Sequence, residues 1–219
     1  DAVQAFGQLP IDPDQMNIDL LSASAHKIYG PKGVGLLYLS PKASRIRSLI
    51  HGGGQERNKR AGTENVPGIV GFGKACELAA SSINERMQKE SALRDYFVKR
   101  VLNEIPLTYI NGAAGDNRLP GNANIGFKFV EAESELIMLD GKGIAASSGS
   151  ACTAGSIDPS HVLLAIGRDE TEARESLRFT LSDSTTMEEL DRTVEVLKET
   201  VEMLRSTNLF YQDYLEKNG

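Results

Sequence analysis

Between Pro67 and Pro106 the chain repeats apolar residues at helical spacing over some ten turns' worth of sequence, and this run limits the possible folds more than any other feature. Ile69, Gly73, Cys76, Ala80, Ile83 and Met87 recur at alternating steps of four and three, one face of a helix. Pro67 suits its opening, because the first turn has no use for the backbone donor that proline lacks. Leu93, Phe97, Val101 and Ile105 continue in a second register that stops before Pro106. The change of register predicts a bend or break within residues 84–92 and a domain boundary nearby, with 1–82 on one side and 83–219 on the other. Cys76 falls on the first stripe and is expected to be an inert core residue.

Around this helix the pattern alternates. A segment near Asp19 to Ala23 and the run Val34 to Leu39 flank a turn as two strands would. Ala123, Ile125, Phe127 and Phe129 interleave with Asn122, Asn124, Gly126 and Lys128, the period-two signature of a half-buried strand. Ser134 to Leu139 and Pro159 to Ile166 suit short helices, and Leu177 to Leu181 suits a strand. Thr186 and Glu189 form a capping box ahead of Leu190, Val194, Leu197, Val201 and Leu204, an amphipathic helix. HGGGQERNKRAGT, residues 51–63, is too rich in glycine and charge for a regular element and reads as an ordered loop. Strands alternating with helices give an α/β protein, without internal repeat or low-complexity tract.

The charge balance narrows the function. Thirty acidic against 24 basic residues, net −6, argue against nucleic acid or an anionic membrane as the main partner. Apolar runs such as Gly35 to Leu39 are too short to cross a bilayer. Two cysteines far apart, Cys76 and Cys152, give no disulfide framework, and three scattered histidines give no metal-ligand spacing; His51 and His161 read as structural. A reducing, cytoplasmic location is the expectation. The chain starts at Asp1 without an initiator methionine or signal-like segment, and is expected to be the C-terminal segment of a longer polypeptide.

Two residues sit oddly. Lys27, in SAHKIYGPKG, lies at a strand end between small residues (Ser22 to Ala25) and the turn residues Pro31 and Gly33. A lysine acts as a covalent amine only when deprotonated, and small neighbours leave room for a flat ligand; a solvated turn lysine is the plainer alternative. Cys152 lies in GIAASSGSACTAGS, residues 143–156, which has no apolar face to bury and, after a brief strand, reads as a mobile or ligand-facing loop. A nucleophilic thiol needs such access to its thiolate; an incidental small residue is the alternative.

The motifs DAVQ, SASAHKIYGPKG, HGGGQERNKRAGT, SSGSACTAG and SLRFTLS follow one another in an order and spacing that resembles the group I cysteine desulfurases of the NifS/IscS type, within the class V aminotransferases. The resemblance runs over essentially the whole chain. It implies the pyridoxal-phosphate transferase fold of type I, with part of the large cofactor domain in 1–82 and a small α/β domain carrying the cysteine loop in 83–219. It implies pyridoxal 5'-phosphate bound covalently to Lys27, with Asp1 on the pyridine nitrogen, Gln4 on the phenolic oxygen, and Ser24 and His26 on the phosphate. Thr63 matches a threonine that reaches the phosphate in the partner subunit of a homodimer; on spacing alone it serves equally as a helix cap. Cys152 matches the nucleophile that takes sulfur from L-cysteine as a persulfide, and Arg178 matches the arginine that binds the substrate carboxylate, a surface strand arginine being its plainer reading.

The expected activity is conversion of L-cysteine to L-alanine, with sulfur passed to an acceptor protein: an iron–sulfur scaffold or a tRNA-thiolation enzyme. A selenocysteine lyase, a related class V aminotransferase and a non-catalytic sulfur-relay partner are the alternatives; a thiol on a small-residue loop favours the desulfurase. Ala25 stands where relatives often have glycine, and the aromatic-stacking histidine, a phosphate-binding threonine and an asparagine of the family pattern belong before Asp1.

Overall fold

In the computed structural model, which describes residues 1–43, 45–149 and 158–218, the chain divides into two units, Asp1–Met87 and Gln88–Gly219. In the first unit β1 (Leu20–Ser24) pairs antiparallel with β2 (Gly35–Leu39), from Leu20 opposite Leu39 to Ser24 opposite Gly35. Leu21 and Ala23 are buried, which leaves Ser22 and Ser24 on the other face of the pleat. A 3-10 turn, Ala25–Ile28, follows at once. Residues three apart share a face of such a helix, so Ala25 and Ile28 go together into a small core with Phe72, Ala75 and Ala79. His26 and Lys27 are thereby turned outward. The turn is also tight at Gly30, where a methyl group would stand 2.9 Å from the Ala25 carbonyl oxygen and 3.2 Å from Ala75 Cβ. Ala25 faces this core and Ala23 is buried, while Ser22 and Ser24 are half-buried.

After α1 (Gln55–Asn58), a single turn whose Glu56, Arg57 and Asn58 all have positive φ and which is therefore no regular right-handed helix, α2 runs from Val66 to Glu104 as one helix of 39 residues. The expected break within 84–92 is absent. The buried positions Gly68, Phe72, Ala75, Ala79, Arg86, Glu90, Leu93, Phe97 and Val101 keep a single helical phase throughout. The stripe passes through Arg86 and Glu90, 6% and 0% exposed, and these polar residues conceal its continuity in the sequence. The residues between, NERMQKES, include strong helix formers, so nothing local ends the helix. Arg86 donates to the Gly7 carbonyl. The stripe expected through Ile69, Gly73 and Ala80 is out of phase, since all three are exposed. Cys76 borders the true stripe, partly buried against the small core, and burial raises its thiol above the ordinary value. Thr63 is not the cap: the Asn65 side chain accepts from the Gly68 N–H at 3.1 Å.

The second unit is built on a four-stranded antiparallel sheet in the order β3 (Thr108–Ile110), β4 (Asn122–Phe127), β6 (Ser176–Thr180), β5 (Ser147–Ser148). One face carries Ala123, Ile125, Phe127, Leu177 and Phe179. Onto it pack the last turns of α2, α3 (Ala132–Gly141) and α6 (Met187–Ser206), whose Leu190, Val194, Leu197 and Val201 are buried as their spacing predicts. Phe97 meets Phe179 edge to face, ring centres 5.1 Å apart. Each such side chain contributes roughly 1.5–3 kcal/mol by leaving water. The predicted capping box is present at Thr186 and Glu189, and a second stands at Asp169 and Glu172 ahead of α5 (Glu170–Arg174). The helices α4 (His161–Ala165) and α7 (Leu209–Asn218) complete the unit. Among the described residues no helix is long and apolar enough to cross a membrane.

Candidate active site

The end of β1 gathers most of the expected site residues. Ala2 donates its N–H to the Ser22 carbonyl at 2.9 Å, which ties the N-terminal turn to the strand two residues before Ser24. Within that turn the N–H groups of Ala5 and Phe6 return to the Ala2 carbonyl, and the Asp1 carboxylate accepts from the Val3 N–H at 2.8 Å. The side chains of Asp1 and Gln4 are exposed. At the strand end Ser24 Oγ and His26 Nδ1 lie 2.7 Å apart, which fixes the imidazole and leaves Nε2 facing outward for another partner. Lys27 follows, exposed and without a hydrogen bond or ion pair among the described residues. Tyr29, at φ 63°, closes the turn.

Asp1, Gln4, Ser24, His26 and Lys27 thus stand on backbone segments joined by hydrogen bonds. Thr63 belongs to the same unit and is exposed, but no hydrogen bond joins it to them among the described residues. The donor set fits a flat aldehyde cofactor bearing a phosphate. An amine suits the aldehyde, a hydroxyl and an imidazole N–H suit phosphate oxygens, and a carboxylate suits a protonated ring nitrogen.

Arg178 belongs to the second unit. In β6 it lies opposite Asn124 of β4 and Ser147 of β5, on the face of the sheet away from the apolar core. That face is polar: Asn111 donates to Asn124 Oδ1 at 2.7 Å and to Ser176 Oγ at 2.9 Å. The end at Ser176 is covered by α5, whose Glu172 carbonyl accepts from Ser176 Oγ. At the other end Arg178 Nη1 donates to the Gly149 carbonyl at 2.8 Å. Cys152 lies outside the described residues. A cavity of about 300 Å³ in this unit, lined by Phe97, Ile144, Phe179, Leu190 and Arg192 among others, contains none of the expected site residues and borders the apolar core. Among the described residues no group of histidine, cysteine, aspartate and glutamate is placed to hold a metal ion.

Sequence reasoning missed the polar face of the sheet and the bond from Arg178 to Gly149. Asn122 and Asn124, the other half of the period-two pattern in β4, signalled the first; nothing in the sequence signalled the second.

The chain matches the protein family described as Aminotransferase class-V over residues 1–193. It is 50% identical over 214 residues to the cysteine desulfurase IscS of Dictyoglomus turgidum, covering 98% of this chain and 54% of that protein. The structure of a NifS-like protein from Rickettsia africae superposes with a TM-score of 0.81 at 35% identity, covering 92% of this chain and 52% of the other. A structure of SspA in complex with cysteine superposes with a TM-score of 0.63 at 38% identity, covering 85% and 50%. The chain spans about half the length of the curated relatives it matches.

Proposed function

This chain belongs to the class-V aminotransferase family, and on that premise we propose that the protein is a pyridoxal-phosphate-dependent cysteine desulfurase. The observation that carries the reading is the exposed Lys27 amine beside the Ser24 and His26 pair, on a turn whose hidden side is locked by Ala25 and Ile28. The relatives named cysteine desulfurase, and the related structure that holds cysteine, support L-cysteine as substrate.

Pyridoxal phosphate, when bound, supplies an electron-accepting ring for the substrate amine. Lys27 would hold it covalently and Asp1 would keep its ring nitrogen protonated. Gln4 would donate to the phenolic oxygen, and Ser24, His26 and a partner subunit's copy of Thr63 would hold the phosphate. Arg178 orients the substrate by its carboxylate, for which a planar guanidinium is the matching shape. The Cys152 thiolate attacks the substrate sulfur. The new S–S bond leaves a persulfide on Cys152, the C–S bond breaks with its electron pair on carbon, that carbon takes a proton, and alanine leaves. Sulfur then passes from Cys152 to an acceptor protein in iron–sulfur assembly or tRNA thiolation. The protein works as a cytoplasmic homodimer.

The test is incubation of the full-length purified protein with L-cysteine, following alanine, sulfide and protein persulfide, beside Lys27→Ala and Cys152→Ser. Lys27→Ala should lose the visible colour of the bound cofactor together with alanine formation. Cys152→Ser should form no persulfide, and persulfide-dependent sulfur transfer by that variant overturns the mechanism.

A further inference from the structure

We propose that Arg86 is a positioning residue for the cofactor site: through Gly7 it fixes the turn that carries Asp1 and Gln4 against the turn that carries Lys27. This rests on the roles of Asp1, Gln4 and Lys27 given above. Arg86 stands two helical turns after Ala79 on the buried stripe of α2 and is 6% exposed. An apolar side chain would fill that place without giving up the hydration of a charge, so a guanidinium there needs a reason. The reason is its partner, since Arg86 Nη2 donates to the carbonyl of Gly7, far away in the sequence.

Gly7 is where two supports of the site meet. The N–H groups of Ala5 and Phe6 return to the Ala2 carbonyl at 3.0 and 2.7 Å, and those of Gln8 and Leu9 to the Ala5 carbonyl at 2.9 and 3.0 Å, so the segment is a run of tight turns. Within it Gly7 takes φ +73°, a conformation that glycine adopts without strain. A methyl group at Gly7 would stand 2.5 Å from Ile28 Cγ2 and 3.5 Å from Ala79 Cβ. Ile28 is the inward residue directly after Lys27, 3% exposed, so the bare face of Gly7 packs against the underside of the lysine turn. Phe6 adds a contact to the same helix, edge to face with Phe72 at 6.2 Å between ring centres. The turn of Asp1 and Gln4 is thereby pinned at both ends, at Ala2 by the Ser22 carbonyl of β1 and at Gly7 between Ile28 and Arg86. Removing the guanidinium releases the second end, and the Asp1 carboxylate and Gln4 amide lose their fixed offset from the Lys27 amine while β1 and β2 stay paired.

The experiment uses the full-length protein loaded with pyridoxal 5'-phosphate, without amino acid. The visible band of the bound cofactor is titrated with pH, and the cofactor's dissociation constant is measured by dilution. Asp1→Asn sets the direction in which the titration midpoint moves when the ring nitrogen loses its carboxylate. Arg86→Met, which fills the stripe without a donor, should move the midpoint the same way by about half a unit or more and weaken cofactor binding about tenfold. Arg86→Lys keeps a cationic donor and should bring binding back to within about threefold of wild type. Gly7→Ala presses on Ile28 with the guanidinium intact, and should move the midpoint in the direction of Arg86→Met. Asn65→Ala, at the start of α2, measures what lost stability does by itself and should leave the midpoint in place. Should Arg86→Met fail to fold, Arg86→Gln, too short to reach the carbonyl, replaces it. A midpoint unmoved in the folded Arg86 and Gly7 variants overturns the proposal and leaves Arg86 a structural residue. A midpoint unmoved in Asp1→Asn, or a wild type that takes up no cofactor, overturns the functional reading instead.

Discussion

Replacing Glu135 by glutamine should remove most of the pH dependence of stability between about pH 5 and pH 8. Glu135 lies in the first turns of α3, 0% exposed, and neither carboxylate oxygen has a hydrogen-bond partner among the described residues. The compensating charge is Arg205 on α6, but three of its five N–H donors go to backbone carbonyls: Nε to Lys128, Nη1 to Pro106 and Nη2 to Leu107. Burial therefore pushes the carboxyl from its ordinary 4.5 to about 8, with Arg205 opposing the shift. Below about pH 4.5 the group is protonated in both folded and unfolded chains, and the full stability is present. As the pH rises the unfolded chain releases the proton while the folded chain keeps it, so stability falls until about pH 8, where the folded carboxyl ionises too. At 1.36 kcal/mol per pH unit, the fall between pH 5 and pH 7 comes to about 2.5 kcal/mol. Urea unfolding of wild type and Glu135→Gln at several pH values measures it. The variant's advantage should grow by that amount across the interval. Parallel curves would refute the reasoning, because they would mean that the folded protein solvates or pairs this carboxylate.

Two further outcomes follow from local contacts. Asn65→Ala should lower stability by about 1 kcal/mol, through loss of the bond to the Gly68 N–H at the start of α2, and Asn65→Asp should restore it; chemical denaturation of the three proteins decides this. Glu104 is held well below the usual carboxylate range, at about 2, chiefly by Arg100 and then by Lys198. Its contribution is present above the ordinary 4.5 and is lost as the pH falls toward 2, so the stability gap between wild type and Glu104→Gln should close on acidification and shrink with added salt. A gap indifferent to both would place its origin in packing.

The legibility of the sequence followed the sharpness of each periodic signal. β4 and α6 were readable because a single face of each is apolar, and the Thr186 capping box marked the start of α6 to the residue. The length of α2 was not, because Arg86 and Glu90 occupy positions where a pattern of apolar residues should continue. A buried guanidinium bound to a distant carbonyl cannot be told from a solvated one by spacing. β3 and α5 were too short to show a period, although Asp169 and Glu172 spell the cap of α5 as plainly as Thr186 and Glu189 do that of α6. In the site, the chemistry of Lys27 and its neighbours was legible from residue types. Their mutual placement depends on backbone bonds such as Ala2 to Ser22, to which no side chain testifies.

The turn that carries Lys27 is held in phase on its hidden side by Ala25 and Ile28, which are buried, while His26 and Lys27 on its visible side are exposed. Packing thus leaves the outward residues unconstrained, while it fixes the length of the turn. One residue added between Ala25 and Lys27 would rotate the lysine by about 120°, into the inward place that Ile28 holds in the core with Ala75 and Phe72. The turn behaves as a gauge block: what it presents can be repainted, but it cannot be resized.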